Sequence, residues 1–158
     1  MRAYADTSFL LKLLSHEPDS LAAVDEYRRL GQPALFFLSL HALEVRNAIL
    51  QRAFHQRRSI ASGERRNVAR ERDAAFSRLE YYLTRRALLD VTLEMEPAIA
   101  RAAKLSATHT ERLGARAIDL LHVACALTLE SELFLTTDTR QGQLAKAEGL
   151  KVASAISK

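Results

Sequence analysis

Short apolar runs alternate with amphipathic segments along the whole chain. The run Ala34–Leu38 is continuously apolar and is bounded by Pro33 and Ser39, which is typical of a strand buried on both faces. Four further runs predict strands: Arg2–Ala5, Leu88–Leu93, Leu133–Thr136 and Leu150–Ala153. Five strands that alternate with helices predict a three-layer α/β/α fold, with a central mostly parallel sheet of four to five strands between the helices.

Apolar residues spaced three and four apart predict the inner faces of the first three helices. The helix that follows Asp6 is expected to bury four residues: Phe9, Leu10, Leu13 and Leu14. The helix opened by Pro18 and Asp19 is expected to bury four others: Leu21, Val24, Tyr27 and Leu30. The helix opened by Ser39 carries a third apolar stripe: Leu40, Leu43, Leu50 and Phe54.

The second half of the chain is predicted to contain four more helices. One long helix is expected from Ser59 to Arg86, with an inner stripe of Val68, Phe76, Leu79 and Leu83. The other three are expected near Pro97–Gly114, near Arg116–Ser131 and from Asp138 to Gly149.

Length and composition narrow the class of protein. The chain has 158 residues, of which 48% are hydrophobic, so one domain over 1–158 is expected and intrinsic disorder is excluded. No run of about 18 apolar residues occurs, so no membrane span is expected. The single cysteine, Cys125, excludes an internal disulfide and a cysteine-based zinc site. Asp6 comes too early for a secretory signal, and a reducing cytoplasm is the expected compartment.

Positive charge is concentrated in one stretch of a chain whose net charge is +4. Between Arg46 and Arg86, eleven arginines stand against four acidic residues, so this segment carries +7 and the remainder about −3. Such a segment either contacts a macromolecular partner, such as a polyanion, or forms a solvated helix with internal salt bridges. The sequence permits both interpretations.

Two acidic residues follow predicted strands. Asp6 comes after the first strand, and Asp138 comes after Leu133–Thr136 and Thr137. Because the carboxyl ends of parallel strands meet at one edge of a sheet, where ligands bind, both residues are candidates for a functional site. Each also stands where its side chain could simply cap the helix that follows.

Two further acidic residues lie on apolar helices. Asp119 and His122 are the only acidic or basic residues between Ala117 and Leu129. Because a buried carboxylate needs a partner, Asp119 is either a metal ligand or a member of a cap or buried salt bridge. Glu44 and Asn47 form either a polar spot within an apolar surface or an ordinary exposed pair.

Four carboxylates that share one crevice cannot all stay ionised without positive charge nearby. Mg²⁺ or Mn²⁺ would supply it, because these cations prefer oxygen ligands and retain several waters. One or two such ions support phosphodiester hydrolysis without a nucleophilic serine or cysteine. We therefore expect a divalent cation site formed by Asp6, Glu44, Asp119 and Asp138.

The same acidic residues and their flanks resemble a known family. Four parts of the chain, in sequence order, resemble the PIN domain, and within it the VapC-like ribonuclease toxins of type II toxin–antitoxin systems. They are Tyr4–Leu11, Glu44, Ile118–Ala124 and Leu135–Arg140. The resemblance implies a PIN-type fold and an acidic quartet that binds Mg²⁺ or Mn²⁺. It implies that Asp6 and Asp119 bind the cation directly, while Glu44 and Asp138 act through water or on a second ion. An arginine-rich helical insertion at about 56–87 departs from the compact members of the family.

Seven residues near the quartet are candidates for orienting or substrate-binding roles: Thr7, Ser8, Asn47, Arg116, His122, Thr137 and Arg140. Thr7 or Ser8 would orient Asp6, and Thr137 would support Asp138. Arg116 and Arg140 would contact phosphate. For His122, a core position with a hydrogen bond to a backbone carbonyl is favoured over a role in the site. The remaining histidines are expected to be incidental: His16, His41, His55 and His109.

The family resemblance implies a metal-dependent endoribonuclease that is the toxin of a toxin–antitoxin pair. It further implies an RNA substrate, a small antitoxin protein as partner and a homodimer. A PIN-like RNA-binding or regulatory protein without catalysis is the alternative. A receiver-like signalling module is a further alternative, but it needs adjacent acids after the first strand and a lysine after a late one. Here Thr7 follows Asp6, and no lysine accompanies Asp138.

Overall fold

In the computed structural model, which describes residues 1–17 and 19–154, the chain forms five strands and seven helices. The strands are β1 (Ala3–Ala5), β2 (Leu35–Phe37), β3 (Leu88–Asp90), β4 (Leu133–Thr136) and β5 (Lys151–Ser154). The helices are α1 (Thr7–Leu14), α2 (Ser20–Arg29), α3 (Ser39–Ser59), α4 (Arg65–Thr84), α5 (Met95–Leu113), α6 (Ala117–Thr128) and α7 (Thr139–Ala147), with a 3-10 turn at Ser62–Glu64. Two predictions concern residues outside the described ranges. They are the start of a helix at Pro18 and the last residues of the domain, 155–158.

All five strands form one parallel sheet in the order β3-β2-β1-β4-β5. The chain moves outward from β1 through β2 to β3, and then returns to the other side of β1 with β4 and β5. The strand order therefore reverses between β1 and β4, where Ala5 is aligned with Leu135. In open parallel sheets the crevice beyond this point is where ligands bind, and Asp6 and Asp138 follow these two strands.

Alternating side chains of the central strands fill two separate cores, because successive residues of a strand point to opposite faces. Ala3 and Ala5 pack with the apolar residues of α1 to α4, whereas Tyr4 packs with those of α5 to α7. The neighbouring strand repeats the pattern, with Leu135 in the first core and Phe134 in the second. The predicted three-layer α/β/α architecture is confirmed.

The inner faces predicted for α2 and α3 are partly wrong. In α2, Leu21 is exposed and the buried residues are Ser20, Ala23 and Tyr27. In α3, Leu43, Leu50 and Phe54 are exposed. The residues of α3 that face the core are instead His41, Val45, Ile49 and Ala53. Helix α3 carries two apolar stripes, and the stripe with the shorter side chains packs against the sheet while the longer side chains face outward.

The arginine-rich region forms a helical hairpin, in which the long helix predicted from Ser59 to Arg86 begins later and spans Arg65–Thr84. Helix α3 runs through the first part of the region and ends at Ser59, and α4 begins at Arg65 after the 3-10 turn. The turn contains Gly63, whose conformational freedom disfavours a continuous helix. The predicted inner stripe of α4 is correct, since Val68 and Leu79 are buried while Phe76 and Leu83 pack against the first core.

Within the part of the chain that the structure describes, no helix is both long enough and apolar enough to cross a membrane.

Candidate active site

A small crevice of about 80 Å³ lies beyond the carboxyl ends of β1 and β4. All four predicted carboxylates line it: Asp6, Glu44, Asp119 and Asp138. They come from four separate segments, namely the β1–α1 junction, α3, α6 and the β4–α7 junction. The topology of the sheet thus brings together residues that are far apart in the sequence.

Asp6 is held by three hydrogen bonds and is 2% exposed. Its Oδ1 accepts from the Phe9 amide at 2.8 Å, which caps α1, and from the Ser8 hydroxyl at 2.7 Å. Its Oδ2 accepts from the Thr136 hydroxyl at 2.5 Å. Burial raises the pKa of Asp6, and these hydrogen bonds oppose the rise without cancelling it.

Asp138 caps the next helix and shares a partner with Asp6. Its Oδ1 accepts from the Arg140 and Gln141 amides at 2.8 and 3.1 Å. Its own amide donates to the Thr136 hydroxyl oxygen at 2.9 Å, and the same hydroxyl donates to Asp6. Thr136 therefore links the Asp6 carboxylate to the backbone amide of Asp138 through one oxygen atom.

Asp119 is buried, and it both caps α6 and forms a salt bridge, which are the two alternatives to metal binding expected from the sequence. The Arg116 amide and Nε both donate to its Oδ2 at 3.0 Å, and Arg116 Nη2 donates to its Oδ1 at 3.0 Å. The same guanidinium lies 3.8 Å from Asp138 Oδ2. Hydrogen bonds to Asp119 raise the pKa of Arg116. One arginine therefore supplies positive charge to two of the four carboxylates.

Glu44 is paired with His122 rather than exposed to solvent. His122 Nε2 lies 2.6 Å from Glu44 Oε2, and the Thr7 hydroxyl donates to the same oxygen at 2.8 Å. Burial raises the pKa of Glu44, but the hydrogen bonds that the carboxylate accepts from His122 and Thr7 outweigh burial and hold that pKa below its usual value. Glu44 is therefore an ionised acceptor at neutral pH.

The far side of the His122 ring meets a buried tyrosine. Tyr4 Oη lies 2.8 Å from His122 Nδ1, and burial raises the pKa of Tyr4 well above its usual value. The neutral phenol is thus the donor, and His122 Nδ1 accepts. This fixes the tautomer of His122 so that Nε2 carries a hydrogen and donates to Glu44. The preferred prediction of a bond to a backbone carbonyl is wrong for His122.

The histidine that does bind a backbone carbonyl is His41, which is fully buried. Its Nδ1 accepts from the Leu38 amide at 3.0 Å, so its Nε2 donates to the Ala5 carbonyl, also at 3.0 Å. His41 therefore fixes the end of β1 directly before Asp6. Burial, reinforced by the nearby His122, lowers the pKa of His41 to about 3.

The sequence model of the PIN domain matches residues 3–147. The chain belongs to the PIN domain family. A solved structure similar to it is that of FitAcB from Neisseria gonorrhoeae, at 18% sequence identity over 97% of each chain with a TM-score of 0.62. At this identity the likeness shows that the two share a fold. None of the curated proteins compared with the chain matches it.

Two of the predicted supporting residues of this PIN domain contact different partners from those expected, and the side chains of two others do not contact the carboxylates. Ser8 contacts Asp6 as predicted, whereas Thr7 contacts Glu44. Thr137 donates to Ser8 at 2.8 Å and thus supports Asp6 through it. Arg140 directs Nη1 to the Gly114 carbonyl at 3.4 Å. Asn47 is exposed on α3 and does not line the crevice.

Sequence reasoning missed four residues of this network: Tyr4, His41, Thr136 and Gln141. The last of these is buried and donates from Nε2 to the Asp119 carbonyl at 3.4 Å. Its position at the third residue of α7 gives no local sign of that role. Thr136 could have been predicted from the sequence, because it ends a strand directly before Thr137 and Asp138.

The donor set of the PIN domain fits a hard divalent cation, because it consists of carboxylate and hydroxyl oxygens that face one crevice. Among the described residues, no three His, Cys, Asp or Glu side chains converge closely enough to form a complete metal site. The positive partner of Asp119 and Asp138 is Arg116, whereas Glu44 accepts a hydrogen bond from His122. A cation in this crevice would compete with the Arg116 guanidinium for two of the carboxylates.

His41 predicts a loss of stability at acidic pH. Unfolded chains bind a proton at this residue below about pH 6.5, whereas the folded protein resists protonation until about pH 3. Acidification through this interval therefore favours the unfolded state, by about 2 kcal/mol between pH 6.5 and pH 4.5. His41→Gln, whose amide offers a donor and an acceptor to the same partners, is expected to show a smaller loss in urea unfolding.

The matched control is His55→Gln, which removes an exposed histidine from the same helix. Equal acid sensitivity of wild type and His41→Gln would contradict this assignment.

Proposed function

We propose that this PIN domain is a metal-dependent endoribonuclease that hydrolyses RNA phosphodiesters. The observation that carries the proposal is the meeting of four carboxylates at the crevice where the strand order reverses. Asp6 and Asp119 would bind Mg²⁺ or Mn²⁺ directly, while Glu44 and Asp138 would act through water or on a second ion. When bound, such a cation activates water for in-line attack and offsets the charge of the phosphodiester.

The surrounding residues of this chain would keep the ligands in place. Ser8 and Thr136 orient the two oxygens of Asp6, and Thr7 and His122 hold one oxygen of Glu44. Arg116 lies at the mouth of the crevice with a largely exposed side chain, where its guanidinium could move from Asp119 to a phosphate oxygen. Arginine suits this position because its planar fork matches both carboxylate and phosphate.

Cleavage of total RNA tests the proposed activity. Purified protein is incubated with RNA in Mg²⁺ or Mn²⁺, and in parallel with EDTA, and the new ends are mapped. The proposal requires cuts with either metal, none in EDTA, and recovery when excess Mg²⁺ follows EDTA. RNA binding without cleavage in all conditions would favour the non-catalytic alternative, in which Arg116 keeps its salt bridges to Asp119 and Asp138 permanently.

We further propose that the protein is the toxin of a type II toxin–antitoxin pair in the cytoplasm, as the VapC-like flanks of its acidic residues suggest. Expression of the wild type alone is expected to arrest growth, and co-expression of its small antitoxin should suppress the arrest. Asp119→Asn should permit normal growth at an equal protein level, measured by immunoblot. Growth arrest by the Asp119→Asn variant equal to that of the wild type would contradict a nuclease toxin.

A homodimer is part of the same proposal. Leu43, near the start of α3, is 69% exposed. A large exposed apolar side chain is a favourable place for association, because its burial removes apolar surface from water. Light scattering by the purified protein tests this assembly.

A further inference from the structure

The end of the α3–α4 hairpin carries a dense group of arginines without acidic partners. We call residues 54–72 the hairpin tip. Five exposed arginines lie on it: Arg57, Arg58, Arg65, Arg66 and Arg70. None of these five forms a salt bridge with another described residue. The structure thus contradicts, for these arginines, the alternative of a solvated helix laced with salt bridges, because a helix of that kind pairs its charges at helical spacing.

An aromatic ring stands among these arginines. Phe54 is 54% exposed, and the guanidinium carbon of Arg58 lies 5.5 Å from the centre of its ring. Beside Phe54 is an open recess of about 480 Å³, which Arg57, Arg58 and Arg65 also line. An exposed aromatic ring with adjacent arginines is the arrangement on which unpaired bases stack while cations contact the phosphates. Paired bases cannot use it, since their faces are stacked on one another.

One face of α3 connects the hairpin tip to the crevice. Glu44, Asn47, Gln51, Phe54 and Arg58 recur every three or four residues and so share one side of the helix. At 1.5 Å per residue, Phe54 lies about 15 Å and Arg58 about 21 Å along the axis from Glu44. Asn47 and Gln51 are exposed between them. A strand at the crevice can therefore follow α3 to the tip over polar side chains.

We propose that the hairpin tip is a binding surface for single-stranded RNA, which holds the substrate strand beside the crevice. The proposal rests on the proposed ribonuclease function for the identity of the strand. An acidic protein segment is the competing occupant. The tip favours RNA because Arg57, Arg58 and Arg65 line the recess beside one exposed aromatic ring, whereas stable protein interfaces have a larger apolar centre depleted of charge.

Binding of a labelled single-stranded RNA of about 12 nucleotides, measured by fluorescence anisotropy in EDTA, tests the proposal without cleavage. The Arg57→Ala/Arg58→Ala variant is expected to bind at least about tenfold more weakly, with a salt slope smaller by about 1.4. Phe54→Ala is expected to weaken binding by about 5-fold to 150-fold, through the loss of one stacked base. The Arg85→Ala/Arg86→Ala variant, which removes two exposed arginines at the other end of α4, should bind within about threefold of wild type.

Three results would overturn the proposal. The first is equal weakening by the two double-arginine variants, which would indicate a general effect of net charge. The second is equally tight binding of a duplex of the same length. The third is equally effective displacement of the RNA by poly-glutamate, which would assign the tip to an acidic protein.

The failure of this proposal is distinguishable from the failure of the ribonuclease function. If the wild type cleaves RNA while the tip variants bind RNA normally, the nuclease stands and the tip proposal fails. If the tip variants lose RNA binding but the wild type cuts no RNA in any metal, the surface stands and the nuclease fails.

Discussion

Asp6→Asn is expected to lower RNA cleavage by about 1,000-fold or more while the protein stays folded. The substitution removes a carboxylate from the proposed cation site, where electrostatic stabilisation of the transition state would be worth several kcal/mol. A loss of about 4 kcal/mol corresponds to this factor, since each 1.36 kcal/mol changes the rate tenfold. Cleavage rates at saturating protein, in Mg²⁺ and in Mn²⁺, measure the effect.

The fold should tolerate this change because asparagine caps helices as well as aspartate does. Burial holds the pKa of Asp6 above its unfolded value, so the ionised carboxylate opposes folding at neutral pH. The melting temperature of Asp6→Asn at neutral pH is therefore expected to equal or exceed that of the wild type. Asp73→Asn, at an exposed position on α4, is the matched control and should cleave normally. Full activity of Asp6→Asn in either metal would exclude the proposed mechanism.

Phe134→Ala is expected to lower the free energy of unfolding by about 3–5 kcal/mol. Phe134 and Tyr4 are both fully buried, and their rings stack with centroids 5.7 Å apart. Truncation leaves a cavity beneath the sheet and removes the support of the tyrosine that orients His122. Urea unfolding at neutral pH measures the loss.

The control for this truncation is the same change at an exposed position. Phe54→Ala on α3 should alter the free energy of unfolding by no more than about 0.5 kcal/mol. That result would also establish that the variant used for RNA binding is folded. A loss below about 1 kcal/mol for Phe134→Ala would contradict the close packing of the second core.

The central strands β1, β2 and β4 could be predicted from the sequence because they are almost entirely buried and form continuous apolar runs. The buried face of helix α3 could not be predicted in the same way. Its two stripes, one through Leu43 and Leu50 and the other through Val45 and Ile49, have equal local periodicity. The packing of α3 in the folded protein places Val45 and Ile49 in the interior and leaves Leu43 and Leu50 exposed.

The four carboxylates of the candidate site could be predicted because acidic residues at strand ends and on apolar helices are easily recognised in the sequence. The residues that contact them were harder to predict. His41 and His122 look alike in the sequence, yet one binds the Ala5 carbonyl and the other binds Glu44 and Tyr4. That distinction depends on contacts between residues as much as 118 positions apart, which local patterns do not encode.

The salt bridges of Arg116 bear on the order of two events, folding of the chain and the proposed binding of an ion. Because the guanidinium already balances Asp119 and Asp138, the acidic crevice can close during folding before any ion arrives. Folding and the proposed metal binding would thereby be separate events, unlike in small zinc domains, where metal binding supplies the energy of folding. A newly made chain would have a complete fold first, and the proposed nuclease activity would begin only once an ion had bound.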